Sequence, residues 1–344
     1  MIQCHTFNSW TRPDVREGGP YVLSQFVGGM AAPLFLFMAG MTLAFQMDSA
    51  LRREPDRFKR WLSALRRGGY VLGLAYLFRL STCVTSFPHI GWHDISQVDI
   101  LNCMGLAMIA MSGAALFNFE GRVRYAVIGA LAVAAVGPIV ANWNWQGVPT
   151  LVQEYLQPVV PGPGRGRFPF FPNAAYVGFG LAAGSVVKRI VEDRFDRLMQ
   201  WSVLLGFALV FAGQYFSNIP YSIYTKSNFW TDSPGLVIIR GGVALMLMGG
   251  CYLWTQYCVG PGWSWMQTLG KNSLMVYWVH VMLVYGDWIP GLKRSMSIPV
   301  TTFATVVLTA LMVGMSVAWL RWKAHRAERW RVATSVAGVR AGTV

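Results

Sequence analysis

The chain has 344 residues, of which 54% are hydrophobic and 13% are charged. Soluble domains carry about 25% charged residues, so this composition excludes a soluble protein and indicates an integral membrane protein. The formal net charge of +14 gives no reason to expect nucleic acid as a partner, because the basic residues are grouped between apolar stretches, a pattern that sets orientation in a membrane.

Apolar stretches recur along the whole chain. A transmembrane helix needs about 20 apolar residues, whereas the strands of a membrane barrel alternate apolar and polar residues, and these stretches are continuously apolar. We therefore predict an all-α fold, a polytopic transmembrane helical bundle of about nine spans. It occupies residues 1–320, and residues 321–344 form a basic tail. The predicted spans are 23–47, 69–87, 100–117, 125–141, 172–187, 201–216, 235–257, 269–289 and 299–320.

The basic clusters predict the orientation of these spans. They lie at residues 52–67, 122–124, 188–197 and 321–331, and the positive-inside bias places them, with the C-terminus, in the cytoplasm. The intervening segments then face outward, and their glycine- and proline-rich part, VVPGPGRGRFPFFP, is predicted to be irregular. The outward segments are residues 1–22, 88–98, 142–171, 217–234 and 286–298.

The first outward segment concentrates polar chemistry before an apolar run. The sequence HTFNSWTRPD supplies His5, Asn8, Ser9 and Trp10, and AAPLFLFMAG follows. We predict no helix of its own here beyond a last turn at MIQC. Histidine titrates near neutral pH and suits proton transfer, although a surface histidine without function stays an alternative.

Two groups of polar residues lie within or beside predicted spans, where ionisable side chains are costly and are functional candidates. Arg79 needs a counter-ion, and Asp99 at the start of the next span is the candidate, unless Asp99 serves only as a helix N-cap. Ser273, Tyr277, His280 and Asp287 form one polar stripe that should face the protein interior. A histidine that only hydrogen-bonds to a neighbouring helix is the alternative for His280.

No metal site is expected. His89, His93 and Asp94 lie in a predicted loop that gives them no fixed spacing, and the five cysteines show no ligand pattern.

Five segments in order resemble the bacterial relatives of the heparan-α-glucosaminide N-acetyltransferase catalytic domain, which are multi-pass membrane acyltransferases. They are HTFNSW, AAPLFLFMAG, VDILNCMGL, FPFFPNAAYVGFGLAAG and LGKNSLMVYWVH. The resemblance implies a protein of the cell inner membrane that transfers an acyl group, usually acetyl, from cytoplasmic acyl-CoA to a hydroxyl or amine of an external glycan or lipid-linked acceptor. It also implies a further spanning helix, carrying an arginine, before the first residue of this chain.

The resemblance assigns roles to particular residues. It implies that His5 is the base or acyl carrier, and that Asp99, Asn102, Ser273, Tyr277 and His280 match motif positions. The chemistry then suggests Asn8, Ser9 or Arg79 for the oxyanion. The full set of candidates is His5, Asn8, Arg79, Asp99 and His280 for catalysis, Arg52, Arg53, Lys271 and Asn272 for acyl-CoA, and Trp10, Asn102, Ser273 and Tyr277 for the acceptor.

Two other functions stay open at the level of the sequence. A transporter or flippase would use Arg79, Asp99 and His280 as pathway residues, and a membrane scaffold would have no catalysis. A homo-oligomer is compatible with each of these functions.

Overall fold

The computed structural model describes residues 1–85, 97–158, 168–259, 262–286, 288 and 291–341, without the side chains of Thr85 and residues 329–341. This part of the chain is helical, with short 3-10 turns, one π-helical turn and no β-strand. The α-helices are α1 Ile2–Trp10, α2 Gly19–Gly28, α3 Ala31–Arg53, α4 Arg57–Thr85, α5 Ile100–Met111, α6 Phe119–Ala141, α7 Thr150–Leu156, α8 Phe170–Arg189, α9 Phe195–Asn218, α10 Pro234–Trp254, α11 Trp265–Lys271, α12 Ser273–Tyr285 and α13 Ile298–Ala341.

The helices confirm the predicted all-α polytopic fold. Two shorter apolar helices, Ile100–Leu116 and Ser273–Tyr285, coincide with further predicted spans, and α4 contains another. The six stretches of described chain that are long and apolar enough to cross a membrane are Gly19–Arg53, Phe119–Ala141, Phe170–Arg189, Glu192–Asn218, Pro234–Val259 and Ile298–Glu328.

Two compact units divide the chain. Residues 1–28 and 261–344 form what we call the terminal unit, and residues 29–260 form the central unit. In the terminal unit, α13 runs from Ile298 to Ala341 as one helix. The predicted beginning of a basic tail at residue 321 therefore falls inside a helix, and the boundary itself stays a prediction.

The first segment differs from its prediction. Residues 1–22 were expected to be an outward segment with at most one turn of helix, but Ile2–Trp10 is helical. The reason is an apolar face: Phe7 and Trp10 are buried, and Trp10 packs in a core with Val284 and Met312. Tertiary burial therefore stabilises a helix that is too short and too polar to be recognised by periodicity.

The chain leaving α1 pairs with the segment that leads into α13. The backbone N–H of Arg12 donates to the carbonyl of Met296 at 2.9 Å, and the N–H of Met296 donates to the carbonyl of Trp10 at 2.9 Å. These bonds close a single parallel bridge between Thr11 and Met296. They fix the C-terminal end of α1, where its last carbonyls have no partner within the helix.

In the central unit, α3 and α8 cross at two glycines. An added Cβ at Gly40 would collide with the carbonyl of Val177, and one at Gly180 would collide with the carbonyl of Phe37. Small residues allow this close approach of backbones between membrane helices. The segments AAPLFLFMAG and FPFFPNAAYVGFGLAAG therefore encode helix packing.

The segment 142–171, which is predicted to face outward, contains a short helix, α7, that was not predicted. Its Glu154 is fully buried and its Tyr155 is half-buried. Most of the glycine- and proline-rich stretch that was predicted to be irregular lies outside the described residues, as do His89, His93, Asp94 and Asp287.

Candidate active-site clusters

Helices α1 and α12 of the terminal unit bring together four polar side chains, which we call the histidine cluster: His5, Asn8, His280 and Tyr285. The ring of His5 meets the ring of His280 edge to face at 5.2 Å between centroids, and the ring of Tyr285 at 5.4 Å. Asn8 Nδ2 donates a hydrogen bond to the Tyr285 hydroxyl at 3.0 Å. His5 is half-buried, so the cluster holds its ring on two sides without enclosing it.

One carbonyl fixes α1 against α12. Ser9 Oγ donates to the carbonyl of Val284 at 2.8 Å, and Trp10 Nε1 donates to the same oxygen at 3.1 Å. Both side chains are buried, and the proton of Ser9 is engaged in this bond. The structure therefore gives Ser9 and Trp10 a structural role, and acceptor binding by Trp10 stays a prediction.

His280 is 1% exposed and is held by its own helix. Its Nδ1 lies 2.5 Å from the carbonyl of Val276, and since a carbonyl only accepts hydrogen bonds, Nδ1 carries the hydrogen. Nε2 of the neutral ring then keeps its lone pair, and it has no hydrogen-bond partner among the described residues. The alternative of a bond from His280 to a neighbouring helix is therefore wrong.

Two other residues of the predicted polar stripe, Tyr277 and Ser273, differ in their exposure. Tyr277 is buried, and its ring meets the edge of His280 at 5.9 Å. Ser273 is exposed because it is the first residue of the helix, so the prediction of an inward-facing stripe is wrong for Ser273. The span predicted over 269–289 is also interrupted, because Asn272 separates α11 from α12.

Asn272 has a structural position. Its Nδ2 contacts the carbonyls of Thr268 at 3.2 Å and Ser316 at 3.5 Å, and it is buried, whereas the neighbouring Lys271 is exposed. Contacts of Lys271 and Asn272 with acyl-CoA stay predictions.

Arg16, which the sequence did not single out, secures the last turn of α1. Its Nη2 donates to the carbonyls of Asn8 and Thr11, both at 2.9 Å, and its guanidinium lies 5.8 Å from the ring of Tyr21. A cation is favoured at a helix C-terminus, where carbonyls are left without partners. Arg16 therefore helps to hold the turn that carries Asn8.

The central unit contains a second group, which we call the arginine cluster: Arg79, Gln97, Asp99, Asn102 and Tyr155. Arg79 Nη2 forms an ion pair with Asp99 Oδ1 at 2.7 Å, as predicted. The same guanidinium donates through Nε to the carbonyl of Gln97 at 3.1 Å and through Nη2 to its Oε1 at 2.8 Å. Arg79 is 9% exposed, so its charge is compensated within the protein.

Asp99 is the counter-ion of Arg79 and also a helix N-cap, so the alternative that it serves only as a cap is wrong. It caps α5, and its backbone N–H donates to Asn102 Oδ1 at 3.1 Å. Asn102 Nδ2 donates to the hydroxyl of Tyr155 at 3.0 Å, and that hydroxyl lies 2.7 Å from the hydroxyl of Tyr76. Burial raises the pKa of Tyr155 above its ordinary value, which keeps the phenol neutral.

The two arginines in the last turn of α3 interact with residues one turn earlier in the same helix. Arg52 forms an ion pair with Asp48 one turn earlier, and Arg53 Nε donates to the carbonyl of Ser49 at 3.3 Å. Asp48 also lies 3.7 Å from Arg122, which is buried. Binding of acyl-CoA phosphates by Arg52 and Arg53 stays a prediction.

Besides Arg16, three further polar residues of interest were not predicted from the sequence. Arg240 lies within the apolar helix α10, beside the hydroxyl of the buried Tyr176, and the criterion that selected Arg79 also selects it. Tyr285 lies eight residues after Tyr277, so it continues the same helix face. Tyr155 has no such signal, because only the fold brings α7 to Asn102.

A polytopic all-α fold with polar clusters on apolar helices defines a membrane protein with candidate catalytic sites. A family model described as an acyltransferase domain matches residues 1–319. The chain therefore belongs to this family of membrane acyltransferases. The comparison with curated proteins gave no significant match.

Proposed function

We propose that this membrane acyltransferase moves an acyl group, in the simplest case acetyl, from cytoplasmic acyl-CoA to a hydroxyl or amine of an external glycan or lipid-linked acceptor. The observation that carries the proposal is the histidine cluster, in which His5 is held by the edges of two rings and is still half-buried. The resemblance to bacterial relatives of heparan-α-glucosaminide N-acetyltransferase supports acetyl as the group and a sugar as the acceptor.

As a base, His5 acts on the acceptor. Its imidazole nitrogen removes the proton of the acceptor hydroxyl or amine while the acceptor atom attacks the thioester carbonyl. The bond from carbonyl carbon to sulfur then breaks, and the coenzyme A thiolate leaves and takes up the proton from the imidazolium of His5, which restores the base. Base catalysis of this kind contributes typically 10²- to 10⁴-fold in rate.

As an acyl carrier, His5 reacts first with the donor. The imidazole nitrogen forms a bond to the thioester carbon, the carbon–sulfur bond breaks, and the thiol leaves with the proton. The acceptor then attacks the acyl-imidazole, the carbon–nitrogen bond breaks, and the acceptor proton passes to the imidazole nitrogen, which regenerates the neutral imidazole. Only this route leaves acyl label on the protein when acceptor is withheld.

The oxyanion requires a hydrogen-bond donor in the same cluster. Asn8 is the best of the three predicted candidates, because Ser9 is committed to Val284 and Arg79 to Asp99 and Gln97. Asn8 Nδ2 has two hydrogens, and one of them is directed to Tyr285. The second hydrogen is the donor that we assign to the developing negative charge.

The test measures transfer from radiolabelled acetyl-CoA in membranes that contain the full-length protein. His5→Ala is expected to lower transfer by at least about 100-fold. His325→Ala is the matched control, because His325 is an exposed histidine on α13. A label that stays on the protein without acceptor, and is absent from His5→Ala, supports the acyl-carrier route over the base route.

Equal transfer by wild type and His5→Ala would reject the role of His5. If wild-type membranes consume no acetyl-CoA but take up a solute along an ion gradient, the transporter alternative is correct instead.

A further inference from the structure

Helices α9 and α10 of the central unit border an open groove with a volume of about 740 Å³. One end is polar and is formed by Asp196 and Gln200 of α9 and Tyr252 of α10, with Gln256 of the following π-helical turn. The other part is apolar and includes Leu204 and Leu253. The groove takes no part in either cluster described above.

The carboxylate of Asp196, which can only accept hydrogen bonds when ionised, lies at the polar end of the groove. The hydroxyl of Tyr252 donates to Asp196 Oδ1, and Gln256 Nε2 donates to the hydroxyl of Tyr252 at 3.2 Å. These bonds hold the carboxylate in place at an exposed position. An ionised carboxylate has about four lone-pair positions, so Asp196 can accept further hydrogen bonds from a cation.

The apolar part lies on helices that are long and apolar enough to span a membrane. Leu204 is 57% exposed and Leu253 is 53% exposed, on the stretches Glu192–Asn218 and Pro234–Val259. Leu204 lies about two turns along α9 from Asp196, where exposed side chains of a spanning helix meet lipid acyl chains, and Leu253, beside Trp254, lies where such a chain begins. The groove therefore offers an apolar surface to a lipid acyl chain.

The polar end lies where a membrane interface is expected. Asp196 is in the first turn of α9, directly after a segment with both acidic and basic residues. Trp254 and Tyr257, which are exposed at the end of α10, are typical of the level of lipid headgroups. The π-helical turn Thr255–Val259 follows α10, and such distortions of a helix are frequent at functional sites.

We propose that this groove is a binding site for a phospholipid with a primary ammonium headgroup, of the phosphatidylethanolamine type. The ammonium donates to Asp196, and one acyl chain lies along Leu204 and Leu253. A phospholipid with a net negative charge and no ammonium would have no donor for the carboxylate of Asp196. We therefore expect the groove to prefer the zwitterionic lipid over an anionic one.

The test uses the full-length protein in nanodiscs made from equal amounts of phosphatidylethanolamine, phosphatidylglycerol and phosphatidylcholine, followed by native mass spectrometry of the lipids that remain bound. We expect wild type to retain phosphatidylethanolamine about fivefold over the other two lipids, the range of one exposed ion pair. Asp196→Asn keeps an acceptor for Tyr252 but removes the charge, and it should abolish the preference. Asp193→Asn, an exposed acid outside the groove lining, should keep it.

A second variant tests the apolar part. Leu253→Trp fills the groove and should lower retention of all three lipids, while the thermal stability of the protein stays within a few degrees of wild type. Equal retention of the three lipids by wild type, or an unchanged preference in Asp196→Asn, would overturn the proposal. So would a dimer that excludes lipid from this groove and dissociates in Leu253→Trp.

Discussion

The histidine cluster of the terminal unit and the arginine cluster of the central unit both place polar side chains on apolar helices, but they satisfy those side chains differently. In the arginine cluster, Arg79 has an ion pair and two hydrogen bonds, and it is almost fully buried. In the histidine cluster, the ring of His5 lies edge to face with the rings of His280 and Tyr285 and is half-buried. A charge with an ion pair and hydrogen bonds inside the protein suits a structural role, whereas a half-buried imidazole suits proton or acyl transfer. An intramembrane charge is therefore not by itself the mark of the reaction centre.

Asp99→Ala should have the largest effect on folding. It leaves Arg79 buried without its counter-ion, and breaking a buried ion pair costs about 3–5 kcal/mol. The free energy of unfolding in detergent micelles measures this loss, and Asp193→Ala, which removes an exposed acid, should change it little.

His5→Ala in the same assay should keep nearly the wild-type stability, because we assign the arginine cluster to folding and the histidine cluster to catalysis. A double variant Arg79→Met with Asp99→Ala should recover part of the loss, because it removes the uncompensated charge. If Asp99→Ala unfolds at the same denaturant concentration as wild type, the arginine cluster is not a structural tie.

His280→Leu should have the next largest effect, on the rate of transfer. It replaces the ring that contacts His5 by an apolar side chain, and a shift of a catalytic group by about 1 Å can lower a rate about 100-fold. We expect a lower kcat for acetyl transfer with a smaller change in KM. His325→Leu, on an exposed face, is the control, and a wild-type kcat in His280→Leu would show that the ring contact has no role.

Asn8→Ala and Tyr285→Phe should each lower kcat by up to about tenfold, the value of one hydrogen bond. The two residues share a bond of 3.0 Å, so the double variant should lose less than the product of the single effects. A double-mutant cycle on kcat measures the coupling, and strictly multiplicative effects would place Asn8 and Tyr285 in separate roles.

Tyr155 should make stability depend weakly on alkaline pH. Its pKa is raised in the folded protein by burial, so the folded state binds more protons than the unfolded state above the ordinary tyrosine pKa near 10. The contribution is complete below about pH 10 and is lost as the pH rises toward the folded pKa. Melting temperatures between pH 8 and pH 11 should fall less steeply in Tyr155→Phe than in wild type, while Tyr221→Phe, at an exposed ring, should follow wild type.

The pair of Arg79 and Asp99 could be predicted because both residues stand out against apolar sequence and the cost of an unpaired charge requires a partner. The helix α1 could not be predicted, because its nine residues are too few to show a period. The contact between His5 and His280 was also beyond the sequence, since it joins residues 275 positions apart in number through a helix pairing that no local pattern encodes.

The sequence by itself determined that this protein is a polytopic helical membrane protein, because apolar segments of sufficient length have no other stable arrangement in a bilayer. It also determined the candidate histidines, through residue chemistry. Only the tertiary structure decided which polar residues act together: α7 supplies Tyr155 to Asn102, and α12 supplies Tyr285 and His280 to His5. The physical reason is that side-chain contacts between helices depend on rotation and crossing geometry, which apolar composition leaves open.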